Sequence, residues 1–179
     1  VPRPTSKKAL LRFLSALSFH RRHLPKLAHI SAPLYDLLQN AVTFCWTEAH
    51  EDRFQQLKQL LVEPPALSLP NTTNKLVITS DASNEACGGV LSMICPTGEE
   101  KVCGYSSRRF SLVERKRLTV PESELVAAIC AIKVWHFYLV GNPFILRLDA
   151  GCLLYLNAFK DSNTRLYRAS LHLADYDFE

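Results

Sequence analysis

Residues 75–81 read Lys75, Leu76, Val77, Ile78, Thr79, Ser80, Asp81. Three consecutive branched apolar residues followed by Thr describe a short buried strand, and the acid marks its end. A second run of the same kind, Phe144 to Leu148, also ends on an acid, Asp149. A helix over 120–139 lies between them. Thr119 and Glu122 form a capping box at its start, each side chain satisfying an orphan backbone N–H. Leu125, Ile129, Ile132 and His136 continue at helical spacing, and Gly141 stops it.

Working outward, residues 86–95 and 101–107 are two further strands. Gly88 and Gly89 lie inside the first, and Pro96, Thr97 and Gly98 make the turn. With 75–80 they form an antiparallel meander. A basic stretch follows on a loop: Arg108, Arg109, Arg115, Lys116 and Arg117. Beyond Asp149, helices are expected near 151–158 and 163–174, and Tyr176 to Glu179 opens another strand. Three strands, a helix, a strand and more helix is an α/β order built on a mixed sheet.

Upstream, the period is helical. Leu10, Leu11, Phe13, Leu14, Leu17 and Phe19 follow a helix capped by Thr5 or Ser6. Pro25 opens a second helix carrying Leu27, Ile30, Leu34, Leu37 and Leu38, with Pro33 kinking or restarting it. A third spans 48–62, capped by Thr47, with Phe54, Leu57, Leu60 and Leu61 as its stripe and Glu63, Pro64 and Pro65 ending it. The organisation is therefore a small three-helix bundle over 1–63, a Pro-, Ser- and Asn-rich linker over 64–74, and an α/β domain over 75–179.

The chain has 179 residues, 47% hydrophobic and 21% charged, enough for one domain plus a small appendage. No apolar run reaches the ~18 residues of a membrane span, and Val1 to Pro4 has no signal-peptide pattern. An intracellular protein without a membrane partner is expected. The chain opens on Val1 and ends in mid-pattern, so a longer parent is expected as well. The cysteines at 45, 87, 95, 103, 130 and 152 have no zinc-knuckle spacing and read as buried reduced thiols. Arg3, Lys7, Lys8, Arg12, Arg21, Arg22 and Lys26 all fall within residues 1–35, which contain no acid. A basic module on a mildly acidic body suggests a polyanion partner.

Asp81 and Asp149 end separate buried strands, and Glu124 sits in the first turn of the helix between them. Ala127, Ala128 and Ala131 on that face let the helix approach a sheet. If the strands are adjacent, the three carboxylates converge. Such a cluster needs a cation, and hard oxygen donors suit Mg2+ or Mn2+. Two such ions can activate water and stabilise the leaving oxygen of a phosphodiester. Each acid also has a structural alternative: Asp81 as a turn residue, Glu124 as a favourable first-turn charge, Asp149 as an N-cap. Glu122 is accounted for by the capping box.

These residues carry a resemblance that covers nearly the whole chain. Residues 11–25 (LRFLSALSFHRRHLP) resemble FLGLxNYYRxFIP, and 32–38 (APLYDLL) resemble APLxxLL. Phe44 to Thr47 with Phe54 to Lys58 resemble FxWTxxxxxAFxxLK. Ile78 to Ser83 match xTDAS, Tyr105 to Arg108 match YxSR, and Glu122 to Ala127 resemble EKELLA. Arg165 to Arg168 and Tyr176 to Phe178 are similar to RLxRW and YDF. The pattern is that of the thumb and ribonuclease H region of reverse transcriptases from gypsy-type (Metaviridae) LTR retrotransposons and related retroelements.

The resemblance implies a three-helix thumb followed by a ribonuclease H-like mixed sheet flanked by helices, with its last strand and helix incomplete. It assigns Asp81, Glu124 and Asp149 as catalytic metal ligands and implies hydrolysis of the RNA strand of RNA–DNA hybrids. Arg12, Arg21, Arg22 and Lys26, with Arg108 and Arg109, are the candidate nucleic-acid-binding residues, following backbone and shape rather than base edges. The palm and fingers of the same polyprotein become expected partners, and the cytoplasm, a virus-like particle or the nucleus the expected locations. Three departures stand out. Ala150 replaces a His after the third acid, Ser15 replaces a Gly, and Phe19 and His20 replace paired tyrosines. A fourth carboxylate is expected past Glu179. The alternatives are an inactive nucleic-acid-binding or scaffolding module derived from a retroelement, and an integrase-like nuclease of the same fold class.

Overall fold

The computed structural model describes residues 2–63, 65–148 and 171–179. Helix α1 (Lys7–Phe19) is capped by Ser6, whose hydroxyl accepts the Ala9 N–H at 3.3 Å. It buries Leu10, Phe13, Leu14 and Leu17 on one stripe. A 3-10 turn (Arg21–His23) leads to α2 (Leu27–Asp36). Helix α2 begins two residues after Pro25, with Lys26 at its N-cap in the left-handed region (φ 52°). Pro33 lies inside α2, which runs through it without restarting. The proline costs one main-chain bond, and the buried Leu27, Ala28, Ser31, Ala32 and Leu34 hold the helix together nonetheless. Helix α3 (Glu48–Val62) starts at a capping box in which the Thr47 N–H donates to His50 Nδ1 at 3.1 Å. The three helices share one core, where the rings of Phe13 and Phe54 meet edge-on at 4.7 Å.

Among the described residues, four strands form one mixed sheet: β1 (Lys75–Ala82), β2 (Ala86–Ile94), β3 (Glu100–Arg109) and β4 (Phe144–Arg147). Their order is β3-β2-β1-β4, antiparallel at β3-β2 and β2-β1 and parallel at β1-β4. The expected meander and returning strand are therefore present. On the far side of β4, the Glu179 N–H donates to the Phe144 carbonyl at 3.1 Å, and Phe178 makes a parallel bridge to Phe144. The strand expected at 176–179 begins there.

Helix α5 (Val120–Val134) crosses one face of the sheet. Leu125, Ala128, Ile129 and Ile132 pack on Leu76, Ile78, Leu91, Met93, Phe144 and Leu146. The helix is shorter than the expected 120–139. It breaks at Trp135, and a single turn, α6 (His136–Leu139), follows before Gly141 reverses the chain at φ 73°. Trp135 is buried under the sheet, whereas His136 turns outward to the Tyr176 hydroxyl at 2.7 Å.

The basic stretch expected to be a loop is not one. Arg108 and Arg109 close β3, and Arg115 to Arg117 close a short helix, α4 (Leu112–Arg117), opened by a Ser111–Glu114 capping box. Six residues are too few for a periodic pattern to show, but the Ser-x-x-Glu signature was present. The helical bundle covers the β2-β3 face opposite α5. There the Ala28 N–H donates to Ser107 Oγ at 3.2 Å, and Arg109 forms an ion pair with Asp36 at the end of α2. Of the helices expected beyond Asp149, residues 171–173 are helical and the rest lie outside the described residues.

Candidate nucleic-acid site

Strand β1 runs through Asp81 to Ala82, so Asp81 is a strand residue registered opposite Gly88. It is exposed and borders a cleft of about 300 Å³. One wall of that cleft is the sheet at Thr79, Gly88 and Ser107; the other is Lys26 and His29 from the helical bundle. Gly88 has no side chain to fill the space beside Asp81.

Glu124 is 7% exposed in the first turns of α5. Its Oε1 accepts the Ala82 N–H at 3.2 Å. Helix α5 is thereby anchored to the end of β1, and a carboxylate sits one residue from Asp81. Glu122 faces the other way, accepting the Thr119 N–H at 2.8 Å, as a capping residue should. The structure thus brings two of the three sequence-selected acids to one strand end. Asp149, the third, lies outside the described residues, two positions past the end of β4. No trio of His, Cys, Asp or Glu side chains gathers among the described residues.

The cations divide into two groups. Arg12 on α1, Arg21 and Arg22 in the 3-10 turn, and Lys26 ahead of α2 are exposed and form no ion pair among the described residues. Arg108 and Arg109 are committed inside the chain. The Arg108 guanidinium binds Glu114 through two hydrogen bonds of 2.9 and 3.2 Å and lies over the Phe110 ring. Arg109 pairs with Asp36 over the Tyr35 ring. Burial would raise the Glu114 carboxyl, but the Arg108 hydrogen bonds and those with Ser111 outweigh it and hold it at about 2.

One grouping was invisible in the sequence. Cys87 of β2 and Cys130 of α5 meet beside Arg108, in a small cluster with Phe110 and Ala127. The hydrogen bond from Cys87 lowers the Cys130 thiol; burial opposes this, and the charges of Arg108 and Lys133 reinforce it, leaving it below its ordinary value. Cys87 is pushed the other way, well above its ordinary value, by the same contact and by burial. No spacing pattern links the two residues, because sheet register and helix packing pair them.

Residues 46–146 match the family described as an RNase H-like domain found in reverse transcriptase. The Tf2-3 and Tf2-4 transposon polyproteins of Schizosaccharomyces pombe (strain 972 / ATCC 24843) are each 32% identical to the chain over 98% of its length. The chain spans about 13% of the length of these relatives. Among solved structures, the dRH form of a foamy viral protease-reverse transcriptase in complex with double-stranded DNA aligns with all of the chain and 32% of its own, with a TM-score of 0.73 and 22% identity. A complex of that enzyme with an RNA/DNA hybrid aligns with all of the chain and 25% of its own, with a TM-score of 0.72 and 22% identity. At that identity the likeness shows the fold, which is ribonuclease H-like. The strand order and the family match agree: the chain belongs to the RNase H-like domains found in reverse transcriptases, and its relatives are retroelement polyproteins.

Proposed function

We propose that the chain is the thumb and ribonuclease H region of a gypsy-type element and hydrolyses the RNA strand of RNA–DNA hybrids. The observation that carries this reading is the Glu124 carboxylate held on the N–H that follows Asp81. Asp81 borders an open cleft and Glu124 lies buried at the same strand end, and two such hard oxygen donors suit Mg2+ or Mn2+. Asp81, Glu124 and Asp149 would hold the ions. When bound, the metal supplies an activated water and charge neutralisation at the scissile phosphate.

The remaining roles belong to the chain itself. Ala82 and the cap of α5 fix where Glu124 stands. Arg12, Arg21, Arg22 and Lys26 bind backbone phosphates of the duplex, and Lys26 does so from the wall opposite Asp81. Lys26 holds a left-handed backbone conformation, a small strain of the kind found where a side chain must be aimed. The palm and fingers of the same polyprotein would deliver the hybrid, inside a cell or a virus-like particle.

The test is cleavage of end-labelled RNA in a hybrid with Mg2+ or Mn2+, comparing the chain with Asp81→Asn and Glu124→Gln. Cleavage abolished in both variants, with hybrid affinity retained, supports the reading. Hybrid binding without cleavage by the unmodified chain replaces it with a binding module that has kept the fold.

A further inference from the structure

A second concavity, about 720 Å³, runs along the outer edge of β3. Arg21 and Arg22 of the 3-10 turn form one side, and Lys133 of α5 with Phe137 and Tyr138 of α6 form the other. Among the described residues, its lining includes no Asp or Glu. Arg21, Arg22 and Lys133 are exposed and form no ion pair among the described residues. Phe137 is 90% exposed and Tyr138 39%, although α6 is anchored by the fully buried Leu139. A phenyl ring held in water by a rigid turn, beside unneutralised cations, costs hydrophobic free energy unless something covers it.

We propose that this groove binds an unpaired polynucleotide strand. The claim goes beyond the duplex contacts above but rests on the reading that the chain handles nucleic acid. Cations match the phosphates, and exposed rings stack on bases, which only a single strand can present because duplex bases are already stacked on one another. Its position gives it a use. The groove and the Asp81 cleft share Gly88 and the Tyr105–Ser107 stretch of β3. A strand lying in the groove is led to the cleft, so the unpaired flank of a hybrid is held while its paired part meets Asp81.

The test is fluorescence anisotropy of labelled oligo(dT), oligo(U), an abasic oligomer of equal length and an RNA–DNA hybrid, each titrated with the 179-residue chain at several salt concentrations. Phe137→Ala should weaken oligo(dT) and oligo(U) binding about tenfold and leave hybrid affinity within about twofold. Phe137→Tyr, which keeps a ring, should restore it. Lys133→Ala should lower the salt slope for single strands by about 0.7. Single-strand affinity unchanged in Phe137→Ala, or an abasic oligomer bound as tightly as oligo(dT), overturns the proposal. Hybrid binding with no single-strand binding sinks this proposal and leaves the duplex reading intact. Single-strand binding that Phe137→Ala abolishes, without hybrid binding, does the reverse. Binding of neither overturns both.

Discussion

Gly89 of β2 lies directly beneath Ala131 of α5: a Cβ at position 89 would fall 2.6 Å from the Ala131 Cβ and 2.9 Å from Ser106 Oγ. Two small residues facing each other let the helix sit close to the sheet, and that closeness brings Glu124 within reach of Ala82. Gly89→Ala therefore forces the helix outward. The expected loss is about 2–3 kcal/mol, within the range for overpacked cores. Urea unfolding with an unchanged m-value checks it, and an unaltered midpoint would contradict the close approach.

Arg109 and Asp36 tie the end of β3 to the end of α2, with Arg115 3.9 Å from the second Asp36 oxygen. The pair is partly exposed, so its coupling should be modest, about 1 kcal/mol in a double-mutant cycle of Arg109→Ala and Asp36→Ala. Limited proteolysis offers a second readout. Asp36→Ala should speed cleavage in residues 65–74, which carry neither helix nor strand, because the bundle is held less firmly on the sheet.

Glu114 has a carboxyl at about 2 against an ordinary 4.5, so its folded value is depressed. Its contribution is fully present above about pH 4.5 and is lost as pH falls through about 2. Allowing for partial solvent screening, Glu114→Gln should cost about 1–2 kcal/mol near pH 7, and the gap to the unmodified chain should close as pH approaches 2. A gap that stays constant over that range would mean that the Arg108 pair contributes nothing.

Cys130 should be the reactive thiol of the Cys87–Cys130 pair. With its thiol lowered by the Cys87 contact and by the Arg108 and Lys133 charges, its alkylation by iodoacetamide should reach half its plateau at a pH well below the ordinary 9. Cys87, buried and shifted upward, should stay unlabelled in the folded chain. Arg108→Ala should move the Cys130 midpoint up. Peptide mapping after timed alkylation separates the two thiols.

Much of the fold is legible along the chain because it depends on neighbours. Leu76, Val77 and Ile78 mark a strand, Thr119 and Glu122 a helix start, and Leu10 to Leu17 a buried stripe, each through side chains within one or two turns of one another. Where a segment was short, as at α4, periodicity had too few residues to register. Where packing overrode it, as at Trp135, the helical pattern continued past the real end of α5, because burying the indole against the sheet outweighed another helical turn.

The candidate site divides in the same way. An acid at the end of a buried strand and another at the start of a helix are local features, so Asp81 and Glu124 stand out as candidates along the chain. That Glu124 reaches the Ala82 N–H follows from the fold, since that contact joins residues far apart in the chain through the crossover of α5. The fold also decides which cations are free. Arg21 and Arg108 look alike in the sequence, but Arg108 is held by Glu114 and Arg21 is left to solvent. Charge is a property of a residue, whereas availability depends on what the fold places beside it.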